Sequence, residues 1–166
     1  AERVAEAEMR TGRVCMVCHT GRYGAAQREI VRRVHQGELH LHHIVQQTYF
    51  FRRENTNMFG KARSWTDELL WHQACHMVDF MFWLFGEPDI EVWAQSGPPH
   101  ASLGIPMDIT IGMRSDSGCL VTSANSFNNH GPISANYRFI GEEETLLFEK
   151  GRLTDHEGRE IPVEGG

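Results

Sequence analysis

The chain has 166 residues, 40% of them apolar and 23% charged, and a formal net charge of −6. That length supports one globular core, and the acidic balance works against a phosphate-backbone partner, so no nucleic acid is expected. No run of about 18 apolar residues is present to cross a membrane, and the opening residues alternate charge with Ala and do not build a signal peptide. With only Cys15, Cys18, Cys75 and Cys119, the composition fits reduced thiols, no membrane and a cytoplasmic location.

In chain order, residues 1–10 are expected to form a helix stopped by Gly12. Residues 14–18 are a continuous apolar run, which predicts a fully buried strand. A loop over 19–24 leads to a helix over 25–36, with Ala26, Ile30 and Val34 on one face and Gly37 closing it. Residues 39–51 predict a long strand in which Val45, Tyr49 and Phe51 form the apolar alternation. A polar loop over 52–62 precedes a helix over 65–85, entered by a capping box of Ser64 and Asp67 and ended by Gly86 and Pro88. Strands are then expected at 90–95, 107–113, 119–127, 135–140, 144–149 and 159–163, with turns at 115–118, 141 and 156–158. Short connections imply antiparallel pairing. The expected fold class is α+β, a largely antiparallel open sheet with helices packed on one face.

The strongest chemical signal is on the 65–85 helix. His72, His76 and Asp79 stand at i, i+4 and i+7 and therefore share a face, and imidazole is the natural proton carrier near neutral pH. The spacing admits a zinc site, but Gln73 occupies the position where a zincin needs a general-base Glu. A metal-free acid–base site is preferred, and a zinc hydrolase stays as an alternative. Cys15, Cys18 and His19 match a haem-attachment pattern formally, but cysteines of a strand would point to opposite faces. Arg52, Arg53 and Arg63 bracket the polar loop with Asn55 and Asn57, and arginine forks suit carboxylates. Residues 126–132, with Asn129, could line the same pocket. The cluster of His40, His42 and His43 is read as sheet surface.

Taken together, residues 14–20, 47–53, 63–72, 76–79 and 126–132 resemble the Gfo/Idh/MocA oxidoreductases from the end of their Rossmann domain onward. The resemblance implies a glyceraldehyde-3-phosphate dehydrogenase-like C-terminal domain whose N-terminal Rossmann domain is missing here. Residues 1–18 would be the remnant of that domain, and 19–166 the substrate-binding and oligomerisation domain. It implies NAD or NADP, bound mainly by the missing domain, since the chain contains no Gly-x-Gly-x-x-Gly. The implied substrate is a small hydroxy or hemiacetal dicarboxylate, such as the ring-cleavage semialdehyde of the protocatechuate 4,5-pathway. His76 matches the family histidine and Asp79 its last Asp, an orienting residue, while His72 replaces the family's first Asp. His76 and His72 are the catalytic candidates. His19, Arg22, Arg53, Asn57, Arg63 and Asn129 are the substrate-binding candidates, and no residue is expected to bind a metal. The family's Asn-Pro after Arg22-Tyr23 is replaced by Gly24-Ala25. A homo-oligomer through the sheet face is expected, with Trp93, Val121 and Ser123 exposed on it. A non-catalytic dimerisation or ligand-binding module is the remaining alternative.

Overall fold

The computed structural model describes residues 2–57, 59–63, 68–86 and 89–163. Its helices are α1 (Glu2–Thr11), α2 (Ala25–His35) and α3 (Cys75–Phe85), with a short 3-10 turn at Thr20–Tyr23 and a π-helical turn at Leu70–Ala74. The strands are β1 (Leu41–Tyr49), β2 (Glu91–Ser96), β3 (Asp108–Arg114), β4 (Leu120–Ser126), β5 (Ser134–Gly141), β6 (Thr145–Glu149) and β7 (Arg152–Thr154). Each helix of the core follows its apolar stripe. Met77, Phe80, Met81 and Leu84 of α3 are buried at i, i+3, i+4 and i+7. Gly86 ends α3 at φ 66, a left-handed conformation that glycine adopts without strain, and its N–H bonds the Phe82 carbonyl at 3.0 Å. Ala26, Ile30 and Val31 bring α2 onto the same core. The expected cap at Ser64 and Asp67 lies outside the described residues.

One seven-stranded sheet runs in the order β2-β3-β4-β1-β5-β6-β7. Neighbours are antiparallel except the central pair, in which β1 runs parallel to β4. The crossover through α3, β2 and β3 returns the chain in the same direction as β1, as a parallel pair demands. The α+β class and the helix-covered face agree with expectation. Ile44 sits opposite Val121 on one side and Phe139 on the other, and all three face the helices with Met113, Leu146 and Leu153.

Four local expectations need correction. The buried face of β1 carries Ile44, Gln46 and Thr48, whereas Val45 and Phe51 are exposed. Strand periodicity is two, so the alternation that starts at Val45 lies on the face turned away from the core. Gln46 and Thr48 tolerate burial because they bond one another (2.6 Å), and the Ser123 hydroxyl donates to Gln46 Oε1. For the same reason Ser123, and Val121 with it, face inward and are buried, not exposed on the open face. Residues 14–18 form no strand and are exposed, with Val14, Met16 and Val17 bare. No described strand pairs with them, so apolar composition alone misled. Residues 159–163 contribute only a bridge from Glu160 to Thr154. The last hairpin instead turns at Lys150 and Gly151, both at positive φ, between β6 and β7.

Candidate functional site

Because β1 and β4 are parallel, their C-terminal ends leave the sheet on the same side. The chain after β1 and the chain after β4 then stay together. Phe50 N–H bonds the Ser126 carbonyl at 3.0 Å, and Arg52 N–H bonds the Phe127 carbonyl at 2.9 Å. Phe50 and Phe127 pack edge-on at 4.6 Å, and the His72 ring lies 6.3 and 6.0 Å from them. Open α/β sheets commonly present ligand sites at such strand ends.

The second half of the site is built on α3. His76 is exposed, and its ring meets that of His19 at 5.7 Å and 82°. Three residues on, Asp79 accepts two hydrogen bonds from Arg22, from Nε (2.9 Å) and Nη2 (2.8 Å). The Arg22 hydrogen bonds hold the Asp79 carboxyl below the usual carboxylate range, against the opposing effect of burial. His19 Nε2 stands 3.9 Å from Asp79 Oδ1, and Arg22 also lies over the Trp83 ring at 5.7 Å. Beside them is an open groove of about 410 Å³ lined by His19, Leu70, Trp71, Cys75, Val78, Asp79 and Phe82. Burial pushes the Cys75 thiol up, so it stays a thiol at neutral pH.

His72 falls in the π-helical turn, a feature frequent at functional sites. Burial, first, and then the charges of Arg52, Arg63 and His76 lower its pKa, favouring neutral imidazole. Arg52 Nη1 lies 3.4 Å from His72 Nε2. A guanidinium can only donate, so Nε2 is the accepting nitrogen and the proton sits on Nδ1. Arg52, grouped with Arg53 and Arg63 as an arginine suited to carboxylates though not among the named substrate-binding candidates, faces His72 and lies over Phe127 at 5.6 Å.

The other expected substrate residues are placed differently. Arg53 donates to the Arg52 and Phe127 carbonyls and to Asn128 Oδ1, bracing the two loops, and lies over Phe51 at 4.5 Å. Asn57 Oδ1 accepts the N–H groups of Phe59 and Lys61 and so closes its own loop. Asn129 closes another, accepting from Gly131 N–H and donating to the Pro132 carbonyl. Arg63 anchors through its backbone to Asn55 and acts on His72 through its charge. A groove of about 440 Å³ runs along Phe50, Phe51, Arg52, Arg53, Glu54 and Thr56. Among the described residues, no three His, Cys, Asp or Glu side chains gather where they could hold a metal ion. A zinc site on the His-x-x-x-His turn therefore lacks a third such ligand among them.

The sequence matches of this chain make its fold that of an oxidoreductase C-terminal domain. Residues 25–165 match the family of bacterial oxidoreductases, C-terminal, and the chain belongs to that family, the C-terminal part of the Gfo/Idh/MocA oxidoreductases. Over 164 residues it is 41% identical to the 4-carboxy-2-hydroxymuconate-6-semialdehyde dehydrogenase of Sphingobium sp. (strain NBRC 103272 / SYK-6), covering 99% of this chain and 51% of that protein. Among solved structures, an oxidoreductase from Thermotoga maritima superposes with a TM-score of 0.77 at 15% identity, covering 99% of this chain and 51% of that one. The WlbA dehydrogenase from Bordetella pertussis, in complex with NADH and UDP-GlcNAcA, superposes with a TM-score of 0.75 at 16% identity, covering 93% and 49%. The chain spans about half the length of the relatives it matches. At these identities the two solved structures establish the fold alone.

Proposed function

We propose that this chain is the substrate-side part of an NAD(P)-dependent dehydrogenase that oxidises 4-carboxy-2-hydroxymuconate-6-semialdehyde, as its cyclic hemiacetal, to the lactone 2-pyrone-4,6-dicarboxylate. The observation that carries the reading is the exposed His76 ring on α3. It is set against His19, which itself stands 3.9 Å from Asp79, and four residues from a second, neutral imidazole, His72. The name of the Sphingobium relative supplies the substrate. Residues 19–166 would form the substrate and oligomerisation domain, and residues 1–18 would belong with the nucleotide-binding domain.

The sequence holds no glycine-rich phosphate cradle, so this chain fits a nicotinamide cofactor only at its ring end. The groove lined by Leu70, Trp71, Cys75, Val78 and Phe82, with His19 and Asp79 as its polar lining, suits a planar ring. A nicotinamide held there would supply the acceptor for the hydride leaving the hemiacetal carbon. His76 takes the hydroxyl proton as the C–O bond becomes a carbonyl. His72, beside Arg52, orients the same hydroxyl, and Asp79, forked by Arg22, holds the 19–22 turn against α3. Arg52 and Arg53 along the second groove, with Arg63 nearby, supply positive charge for the two substrate carboxylates. Asn57 holds the turn that precedes Arg63 and Asn129 the turn after β4, and any contact they make with substrate comes through the remaining amide valences.

The uncovered sheet face supports a homo-oligomer as part of this proposal. Trp93 (58% exposed), Leu120 (49%) and Val45 (37%) all lie on it, away from the helices. Light scattering over a concentration series tests this, and a mass that stays at one chain at high concentration removes it. The enzymatic reading is tested by joining the chain to a Gfo/Idh/MocA nucleotide-binding half and following nicotinamide reduction with the semialdehyde. A folded, cofactor-binding fusion that turns over no such substrate contradicts it.

A further inference from the structure

The turn at residues 19–22 does more than connect two elements. His19 stands at the N-terminal boundary of the 3-10 turn Thr20–Tyr23, and the Arg22 N–H closes onto its carbonyl at 3.1 Å, so the turn holds His19 and Arg22 three residues apart against α3. On α3, His76 and Asp79 are likewise three apart and share a face. The two rungs meet in register. Arg22 forks onto Asp79 at 2.8 and 2.9 Å, and His19 arrives against His76 with ring centroids 5.7 Å apart. Arg22 is further seated over Trp83, one turn beyond Asp79 on the same helix. His19 is largely covered, with 23% of its side chain exposed, and its Nδ1 is buried with no partner. That ring nitrogen is desolvated without the compensation a substrate-free side chain usually finds.

We propose that His19 is a positioning residue for His76, delivered by the Arg22–Asp79 clip, and not a residue that grips the substrate. The proposal rests on the reading of His76 as the proton acceptor. Its physical content is that an exposed imidazole on a helix surface samples several rotamers, whereas one with a neighbouring ring against its side is restricted. A base must hold its nitrogen within hydrogen-bond reach of the departing proton, and small misplacements are costly. The Arg22–Asp79 pair fixes the 3-10 turn to α3, and the turn carries His19 to the side of His76. The proposal thereby gives one function to three residues that a sequence reading treats separately.

Two measurements on the protein test it. In the 166-residue chain, nuclear Overhauser contacts between the ring protons of His19 and His76 are expected, and they should be lost in Arg22→Ala. Their absence from the wild type, or their persistence in Arg22→Ala, overturns the proposal whatever the enzyme acts on. In the dehydrogenase joined to its nucleotide-binding half, His19→Ala should lower kcat about tenfold or more, with KM nearly unchanged. His19→Phe, which keeps a ring edge beside His76, should recover much of that loss. The Arg22→Ala and His19→Ala effects should be non-additive, since both remove the same restraint. A rise in KM with kcat unchanged, or full additivity, overturns it. If the joined enzyme oxidises no hemiacetal dicarboxylate, the proposed substrate fails while the ring-contact measurement still judges the clip.

Discussion

Asp79→Asn is the perturbation that separates charge from shape at the clip. The amide keeps the size of the carboxylate but loses the charge that accepts two hydrogen bonds from Arg22. Bidentate arginine–carboxylate pairs are the stronger kind of ion pair. The Arg22 side chain, however, is 45% exposed against 16% for Asp79, so solvent screening holds the contribution to about 1 kcal/mol. For a chain of this size that corresponds to a fall in Tm of about 3 °C. Urea denaturation should show a lower midpoint with an unchanged slope. The pH dependence has a definite sign. The folded-state Asp79 carboxyl lies below its ordinary value. Its stabilisation is therefore present above the unfolded carboxylate pKa and is lost as pH falls through the folded value. The wild-type advantage over Asp79→Asn should be full at neutral pH and fade in strong acid. A double-mutant cycle with Arg22→Met should return most of the effect as coupling. No difference at neutral pH, or one that persists undiminished into strong acid, refutes the reasoning.

Other outcomes follow from the packing. Phe139 is fully buried, stacked on Tyr137 at 5.7 Å and edge-on to Phe80 at 6.2 Å, so Phe139→Ala should cost about 3–5 kcal/mol in urea denaturation. Ser123→Ala removes the hydroxyl that donates to Gln46 Oε1 and accepts from Asn125 Nδ2 at 2.8 Å. Leaving those buried groups short of a partner should cost about 1–3 kcal/mol, read in the same way. A Cβ on Gly112 would fall 2.1 Å from the Trp93 indole. Gly112→Ala should therefore push the ring off the sheet and shift its fluorescence, which a Trp93→Phe background would abolish.

Much of the architecture was legible from periodicity and punctuation. The stripe Met77, Phe80, Met81 and Leu84 and the stop at Gly86 place α3, with His76 and Asp79 on it three residues apart, whereas His72 falls in the π-helical turn just before it. Strand limits from β2 to β6 lie within one or two residues of expectation. Most of what escaped depends on partners far along the chain, and the rest on local turn geometry. The buried face of β1 is chosen by Ser123, which rescues Gln46, and not by the apolarity of Val45. The run at 14–18 reads as a buried strand because composition carries no information about whether a neighbouring strand exists. Lys150 at positive φ hides the final hairpin, since that conformation is usually signalled by Asn or Gly. Arg52 became a site residue only when the parallel pairing of β1 with β4 set its loop beside Phe127 and His72. Asn57 and Asn129 looked like ligand groups but close turns, a distinction that residue type alone does not make.

The most direct test of the account is hydride transfer from the semialdehyde to the nicotinamide in the joined enzyme, with His76 intact and as His76→Ala. The account predicts turnover in the first and a loss of about 10²-fold or more in kcat in the second, with cofactor affinity kept. Equal rates in both proteins, at equal folded concentration, contradict the assignment of His76 as the proton acceptor.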